Sequence, residues 1–188
     1  AHHTRIERVR IAANLRHQAV EELDAAFLSG ASREDIPYSR ELNVLWKFAG
    51  ALERLRGKPA VPERPDYNFR VEGHGESARI NITERSRGTP LDKLVAELMI
   101  AVNSTWGKLL DDHGVAAIYR VQSGGKVRMT TSAMAHMALG ISHYAWMTSP
   151  LRRYVDLVNQ WQLLALLGGK PAPFQHNADT LLAAVHDF

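Results

Sequence analysis

The 188-residue sequence contains no cysteine. This absence excludes disulfide bonds and thiolate metal sites, and it makes a reducing cytoplasm the expected setting. Long apolar runs are also missing, because the longest hold five residues, as at 163–167, and a membrane-spanning helix needs roughly 20. The first residues are polar and basic, unlike a secretory signal. We therefore expect a cytoplasmic protein without a membrane segment.

The composition is that of an ordinary globular protein. Apolar residues make up 45% of the chain and charged residues 23%, and a chain of this length can bury a core as one domain or most of one. The net charge of +3 is too small to indicate a nucleic-acid partner. The 17 arginines outnumber the 6 lysines, and arginine makes planar phosphate contacts. A GC-rich genome also raises the arginine content, so this excess carries little weight.

Hydrophobic periodicity predicts the helices and strands. Helices are predicted over residues 18–28, 39–56, 90–113, 150–167 and 177–188. Strands are predicted at 6–15, 115–121 and 126–130, with a hairpin formed by 69–71 and 78–82. Thr89 and Pro90 open the strongest helix, and Gly114 ends it. The residues 58–66, with three prolines, are expected to form a surface connection.

The most informative segment covers residues 144–159. Ser149 and Pro150 suit the start of a helix, which places Arg152 and Arg153 in its first turn. Cations there oppose the helix dipole, at a cost of about 0.3–1 kcal/mol each. Two guanidinium groups beside free helix N–H groups favour a phosphate site. The alternative is that both arginines are solvated or paired with nearby carboxylates.

The same segment resembles a known family. The run TSPLRRYVDL at residues 148–157 is similar to a signature of the ribonuclease II/R (RNB) family of 3′-to-5′ exoribonucleases. The runs LVAELMIAVN at 94–103 and GVAAIYRV at 114–121 resemble a second family block, with Val102 where the family has alanine. The resemblance extends over residues 5–167.

The resemblance implies an α+β fold of the RNB type, with helices packed on a twisted, mostly antiparallel sheet. It also implies hydrolysis of single-stranded RNA with Mg²⁺. Family members hold the magnesium with aspartates in the pattern DxxxxDxDD, whereas the nine aspartates of this chain are scattered. Residues 1–188 are therefore expected to be part of an RNB domain. The aspartate-bearing portion, and any OB-fold or cold-shock domains, are expected outside this chain.

By resemblance, Arg152 contacts the phosphate undergoing cleavage and stabilises charge in its transition state. The alternative for Arg152 is a surface ion pair. Arg153 is expected to contact a backbone phosphate or to stabilise the fold. Asp156 lies four residues after Arg152 and three after Arg153, close enough on a helix to orient either one. Thr148 and Ser149 are interpreted as cap and turn residues that support the motif.

Five further residues are considered for the RNA path. Tyr154 shares a predicted apolar stripe with the residues around it, which favours the core, although it is also a candidate for RNA contact. The resemblance places Glu97 near the RNA, with a helix-surface carboxylate as the alternative. Asn103 is expected to bond either backbone or ligand. Either Tyr119 or Arg120 is expected to reach the channel, the alternative being core or surface.

The chain also departs from the family pattern. Trp146 stands where family members commonly have histidine, and we hypothesise that it stacks on a base. Gln160 and Trp161 stand where histidine and arginine are frequent. Residues 111–113, Asp-Asp-His, are interpreted as a helix end and not as a metal site, because adjacent helical residues do not share a face. A catalytically silent RNA-binding relative or scaffold is the alternative function.

Overall fold

In the computed structural model, the described residues are 4–15, 22–31, 33–57, 66–75, 78–85, 89–179, 181 and 183. Their helices are α1 (Glu22–Ser29), α2 (Ser39–Arg56), α3 (Pro90–Asp112) and α4 (Tyr154–Leu167), with a 3₁₀ turn at Met137–Leu139. Their strands are β1 (Asp66–Glu72), β2 (Arg79–Arg85), β3 (Tyr119–Ser123) and β4 (Lys126–Thr130).

The chain divides into two compact units. The hairpin unit comprises Leu15–Ala51 and Pro59–Ala96, and the motif unit comprises Ala1–Asn14, Leu52–Lys58 and Glu97–Phe188. The hairpin unit has a small core of Leu23, Ile36 and Leu91. Asp24 Oδ1 accepts a hydrogen bond from the Leu91 N–H at 2.7 Å, which satisfies a free donor at the start of α3.

Strands β1 and β2 form the predicted hairpin. They pair antiparallel, with Phe69 opposite Ile82 and Val71 opposite Ile80. Directly opposite residues point to the same face, so one face of this ribbon is apolar. Its apolar side chains are 49–68% exposed.

The core of the motif unit lies on both sides of the segment 115–121. Alternate side chains of this segment enter two hydrophobic clusters, as expected for extended backbone. The first cluster consists of Leu110, Ala117, Tyr119, Val121, Ala145, Met147 and Leu163. The second consists of Ala116, Ile118, Met129, Val155, Val158 and Leu181, with Trp146 packed against it.

Beside residues 116–118, buried side-chain amides of α4 make the backbone hydrogen bonds that a neighbouring strand would otherwise make. Asn159 Oδ1 accepts from the Ile118 N–H at 2.8 Å, and Asn159 Nδ2 donates to the Ile118 carbonyl at 2.9 Å. Gln162 Nε2 donates to the Ala116 carbonyl at 2.8 Å. The predicted strand at 115–121 is therefore paired as a strand only from Tyr119 onward.

The turn between β3 and β4 follows the predicted break. Gly124 and Gly125 have φ values of 56° and 80°, and Ser123 pairs with Lys126 across them. A two-residue turn with two positive φ angles matches the right-handed twist of the flanking strands.

The described part of the chain is α+β, as predicted, but its strands form two separate two-stranded antiparallel sheets. The predicted strand at 6–15 is wrong, because residues 4–15 are largely exposed and form no ladder with any described segment. The start of the 18–28 helix, the 58–65 connection and most of the 177–188 helix lie outside the described residues. In the described ranges, no helix is long and apolar enough to cross a membrane.

Candidate nucleic-acid interface

The segment that carries Arg152 and Arg153 is a turn followed by a helix. The Ser149 carbonyl accepts hydrogen bonds from the N–H groups of Arg152 and Arg153, at 3.2 and 3.0 Å. Helix α4 begins only at Tyr154, with Arg153 as an extended N-cap residue. The predicted helix start at Pro150 is therefore four residues early. Neither arginine lies within the helix, so opposition to its dipole does not explain them.

Asp156 holds this turn together from inside. Its side chain is fully buried, and Oδ1 accepts from the Ser149 N–H and from Arg153 Nη2, both at 2.7 Å. A carboxylate in a first helical turn is also stabilised by the helix dipole. The expected orienting role of Asp156 therefore applies to Arg153, and Ser149 takes part through its backbone.

Trp146 contacts two of the arginines. The guanidinium carbons of Arg153 and Arg120 lie 4.1 and 4.9 Å from the centre of its ring. The Trp146 carbonyl accepts from Asn159 Nδ2 at 3.0 Å. The backbone of Arg120 is held by its own main-chain N–H, which donates to the Tyr144 carbonyl at 2.8 Å. We call Arg120, Trp146, Arg152, Arg153 and Asp156 the arginine corner.

Arg152 and Tyr154 are both on the surface of the motif unit. Arg152 is exposed, and its side chain makes no hydrogen bond or ion pair with any residue that the structure describes. Tyr154 is 49% exposed, so the expectation that it belongs to the core is wrong. Because α4 starts late, its inward stripe begins at Val155 and Val158, which are fully buried.

The arginine corner carries an excess of positive charge. It contains three guanidinium groups and one carboxylate, and that carboxylate is ion-paired with Arg153. Like charges that share one surface repel each other. An anion bound between these side chains relieves that repulsion, and phosphate suits guanidinium geometry.

The corner does not fit a magnesium ion. Mg²⁺ prefers several oxygen ligands in octahedral geometry, whereas these side chains offer mainly N–H donors. Over the described ranges, no three His, Asp or Glu side chains come together as a metal site. Asp111, Asp112 and His113 bond to separate partners, which are His143, Lys108 and the Leu109 carbonyl.

Comparisons with known proteins agree with this geometry. Residues 125–169 match the model of the RNB domain family. Exoribonuclease 2 of Aeromonas hydrophila is 26% identical over 69% of this chain, and an uncharacterized ribonuclease of Synechocystis is 30% identical over 44% of it. Part of the chain is therefore similar to the RNB domain family and to these ribonucleases. It spans 26% and 16% of the length of these two relatives.

Solved structures of RNB-family exoribonucleases share the fold. An active-site variant of the Dss1 exoribonuclease from Candida glabrata superposes with a TM-score of 0.71 at 19% identity, over 87% of this chain and 27% of that one. Mycoplasma genitalium RNase R in complex with ribose-methylated single-stranded RNA gives a TM-score of 0.63 at 17% identity, over 88% of this chain and 34% of that one.

Two residues of the segment 94–103 support the fold from the interior. Glu97 is buried, and its two carboxylate oxygens accept from Arg56 Nε and Nη2. Arg56 Nη1 also donates to the Leu139 carbonyl at 2.6 Å. Glu97 is thus buried in an ion pair with Arg56, so the alternative of a helix-surface carboxylate is wrong, and its place near the RNA stays a prediction. Asn103 is fully buried, and its Oδ1 accepts from the Met147 N–H at 3.0 Å.

Of the neighbours Tyr119 and Arg120, only Arg120 belongs to the arginine corner. The Tyr119 hydroxyl is buried and donates to the Gly107 carbonyl at 3.1 Å. Burial, followed by the charges of Asp111 and Asp112, raises the pKa of this phenol above its usual range, so Tyr119 stays neutral.

Sequence reasoning missed Asn159, Gln162 and Arg56. Asn159 and Gln162 are three residues apart on α4 and lie among apolar neighbours. Polar amides at that spacing on a buried stripe were a usable signal, because buried polar groups need partners. Arg56 carried no such signal, since its partner Glu97 is 41 residues away.

Proposed function

We propose that this chain is part of a hydrolytic 3′-to-5′ exoribonuclease that degrades single-stranded RNA, and that its arginine corner binds the RNA backbone. One observation carries the proposal. Arg152 is exposed without a partner among the described residues, beside Arg153, which Asp156 holds in place. Both arginines lie within the part of the chain that matches the RNB domain.

Arg152 is proposed to contact the phosphate undergoing cleavage. A positioned guanidinium beside a reacting phosphoryl group stabilises the negative charge that develops there. The turn closed by the Ser149 carbonyl fixes the backbone of Arg152, and this limits the entropy lost when the side chain meets its ligand.

The partly buried Arg120 and Arg153 and the half-exposed Tyr154 are proposed to hold the rest of the strand. Arg153 and Arg120 bind neighbouring backbone phosphates, and the half-exposed ring of Tyr154 offers a face for a base. Contacts of this kind bind RNA without strong sequence preference and weaken with salt.

The remaining parts of the enzyme are proposed to lie outside residues 1–188. They include the aspartates that hold Mg²⁺, the rest of the RNB domain and any OB-fold or cold-shock domains. Because the described side chains do not fit the ion, we assign no metal-dependent step to them. A cytoplasmic location remains part of the proposal.

Shortening of a 5′-labelled oligoadenylate in Mg²⁺ by the natural full-length polypeptide tests this function. Arg152→Ala should lower kcat by roughly 100-fold or more, as loss of a transition-state donor does, with a smaller change in KM. Arg128→Ala is the matched control, because Arg128 is also exposed but lies on β4. An unchanged kcat for Arg152→Ala contradicts the role of Arg152.

The second candidate is a catalytically silent RNA-binding relative. It is favoured by the scattered aspartates of the sequence and by the lack of a three-residue metal cluster in the described ranges. A full-length polypeptide that binds oligoadenylate but leaves its length unchanged in Mg²⁺ would establish this alternative.

A further inference from the structure

We propose that Trp146 is a positioning residue whose ring holds the guanidinium groups of Arg120 and Arg153 together as one subsite for RNA backbone phosphate. This inference rests on the proposed function and states how the arginine corner binds the RNA backbone. It replaces our hypothesis that Trp146 stacks on a base.

The geometry brings two distant parts of the chain to one ring. Arg120 belongs to β3, and Arg153 precedes α4. Their guanidinium carbons lie 4.9 and 4.1 Å from the ring centre, within the roughly 6 Å at which a cation is attracted to an indole face. The two charges therefore cannot be farther apart than the sum of these distances.

The ring is itself firmly placed. Trp146 packs against the second hydrophobic cluster, and its carbonyl is bound by the buried Asn159. Asn159 also binds Ile118, two residues before Arg120. One helix residue thus fixes both the tryptophan and the strand that supplies Arg120.

The ring is needed because the two arginines repel each other. Arg153 has the carboxylate of Asp156 as a partner. The Arg120 side chain has an aromatic contact and no ion pair with the residues that the structure describes. Without the ring, repulsion favours an Arg120 rotamer that points away, and the pair no longer presents its donors to one phosphate.

The same contacts argue against base stacking on Trp146. A guanidinium 4.1 Å from the ring centre occupies the space above the ring that a stacked base would fill. The second guanidinium, at 4.9 Å, covers further ring surface. A base that stacks on a face covered by a guanidinium must first displace that arginine.

Fluorescence anisotropy of the 188-residue chain with labelled oligoadenylate, over a series of salt concentrations, tests the proposal. Trp146→Leu should fill the space without offering a π face, and affinity should fall by roughly threefold to thirtyfold, the range expected for lost cation–π contacts. The slope of log affinity against log salt should fall by about 0.7 for each lost phosphate contact. Trp146→Phe should retain most of the affinity.

Three controls define the outcome. Trp161→Ala removes a surface tryptophan of α4 that packs on Phe174 and should leave the affinity unchanged. Trp146→Leu combined with Arg153→Gln should lose less affinity than the product of the two single losses, because both act through one subsite. Thermal unfolding of each variant verifies that it is folded.

An abasic oligonucleotide of the same length separates this role from base stacking. The proposal predicts the same fold-loss for Trp146→Leu with the abasic strand as with oligoadenylate. A loss seen only with oligoadenylate, or none with either strand, overturns it while the proposed function stands. A wild-type chain with no affinity for RNA contradicts both.

Discussion

At the scale of single residues, Asn159 binds the backbone of two separate segments. Its amide satisfies the N–H and carbonyl of Ile118 and the carbonyl of Trp146. Removing it leaves several buried groups without partners, and each such group costs roughly 1–3 kcal/mol.

We therefore expect Asn159→Ala to lower the free energy of unfolding by about 3 kcal/mol, as measured by urea denaturation. Leu164→Ala, a change on the exposed side of the same helix, should cost less than about 1 kcal/mol. Equal losses for the two variants would show that the Asn159 bonds do not stabilise the fold.

A second residue-scale prediction concerns acid stability. His136 is buried beside Tyr144, and burial followed by the charge of Arg120 lowers its pKa below the ordinary histidine value. The unfolded chain therefore takes up a proton at a higher pH than the folded chain does. Stability should fall as the pH drops below about 6.5, by at most about 1.4 kcal/mol per pH unit.

His136→Phe keeps a ring against Tyr144 and removes the titrating group. Urea denaturation at pH values between 5 and 7 should give a flatter stability profile for this variant than for the wild type. An acid slope that is identical in both proteins would mean that His136 does not cause it.

At the scale of elements, helix α3 approaches Ala145 so closely at Gly107 that a Cβ there would be crowded. A Cβ on Gly107 would lie 3.2 Å from both the Cβ and the N of Ala145. Ala145 is fully buried and its N–H donates to the Asn103 carbonyl. It therefore has little freedom to move.

Gly107→Ala should consequently destabilise the protein by about 1–3 kcal/mol through overpacking, despite the better helix propensity of alanine. Thermal unfolding measures the effect. Adding Ala145→Gly to this variant removes one of the two close contacts and should recover part of the loss. A stabilised Gly107→Ala protein would show that the neighbouring backbone yields.

Elements with local signals were predictable from the sequence. Helix α2 has its predicted bounds, α3 begins at the Thr89–Pro90 signal, and the two glycines mark the β3–β4 turn. The start of α4 was not predictable, because it depends on Asp156 reaching back to Ser149. The hydrogen-bond partners of the extended segment 116–118 were also not predictable, because they are side chains of α4 and not a neighbouring strand.

The candidate site was predictable only in part. The motif identified Arg152, Arg153 and Asp156, but Trp146 contacts two arginines that belong to separate segments of the chain. The burial of Glu97 against Arg56 was not predictable, because the two residues are 41 positions apart in the sequence. The spacing of residues within one segment does not predict which distant segment they contact.

At the scale of the whole molecule, binding and cleavage should be separable. The arginine corner lies within residues 1–188, whereas the described ranges hold no three-ligand metal cluster. The 188-residue chain alone should bind oligoadenylate and leave a 5′-labelled strand at its full length in Mg²⁺. Gel electrophoresis of the labelled strand measures this. Robust shortening by the chain would show that it contains a metal site that we have not assigned.

A single atom, Asp156 Oδ1, links the shape of the loop to the electrostatics of its neighbour. It receives the Ser149 N–H and the Arg153 guanidinium at once. Asparagine has the same shape as aspartate but no charge. Glutamate keeps the charge, but its extra methylene group moves the carboxylate away from the position of Oδ1. Because one atom makes both contacts, a substitution at position 156 changes both the charge beside Arg153 and the loop that presents Arg152.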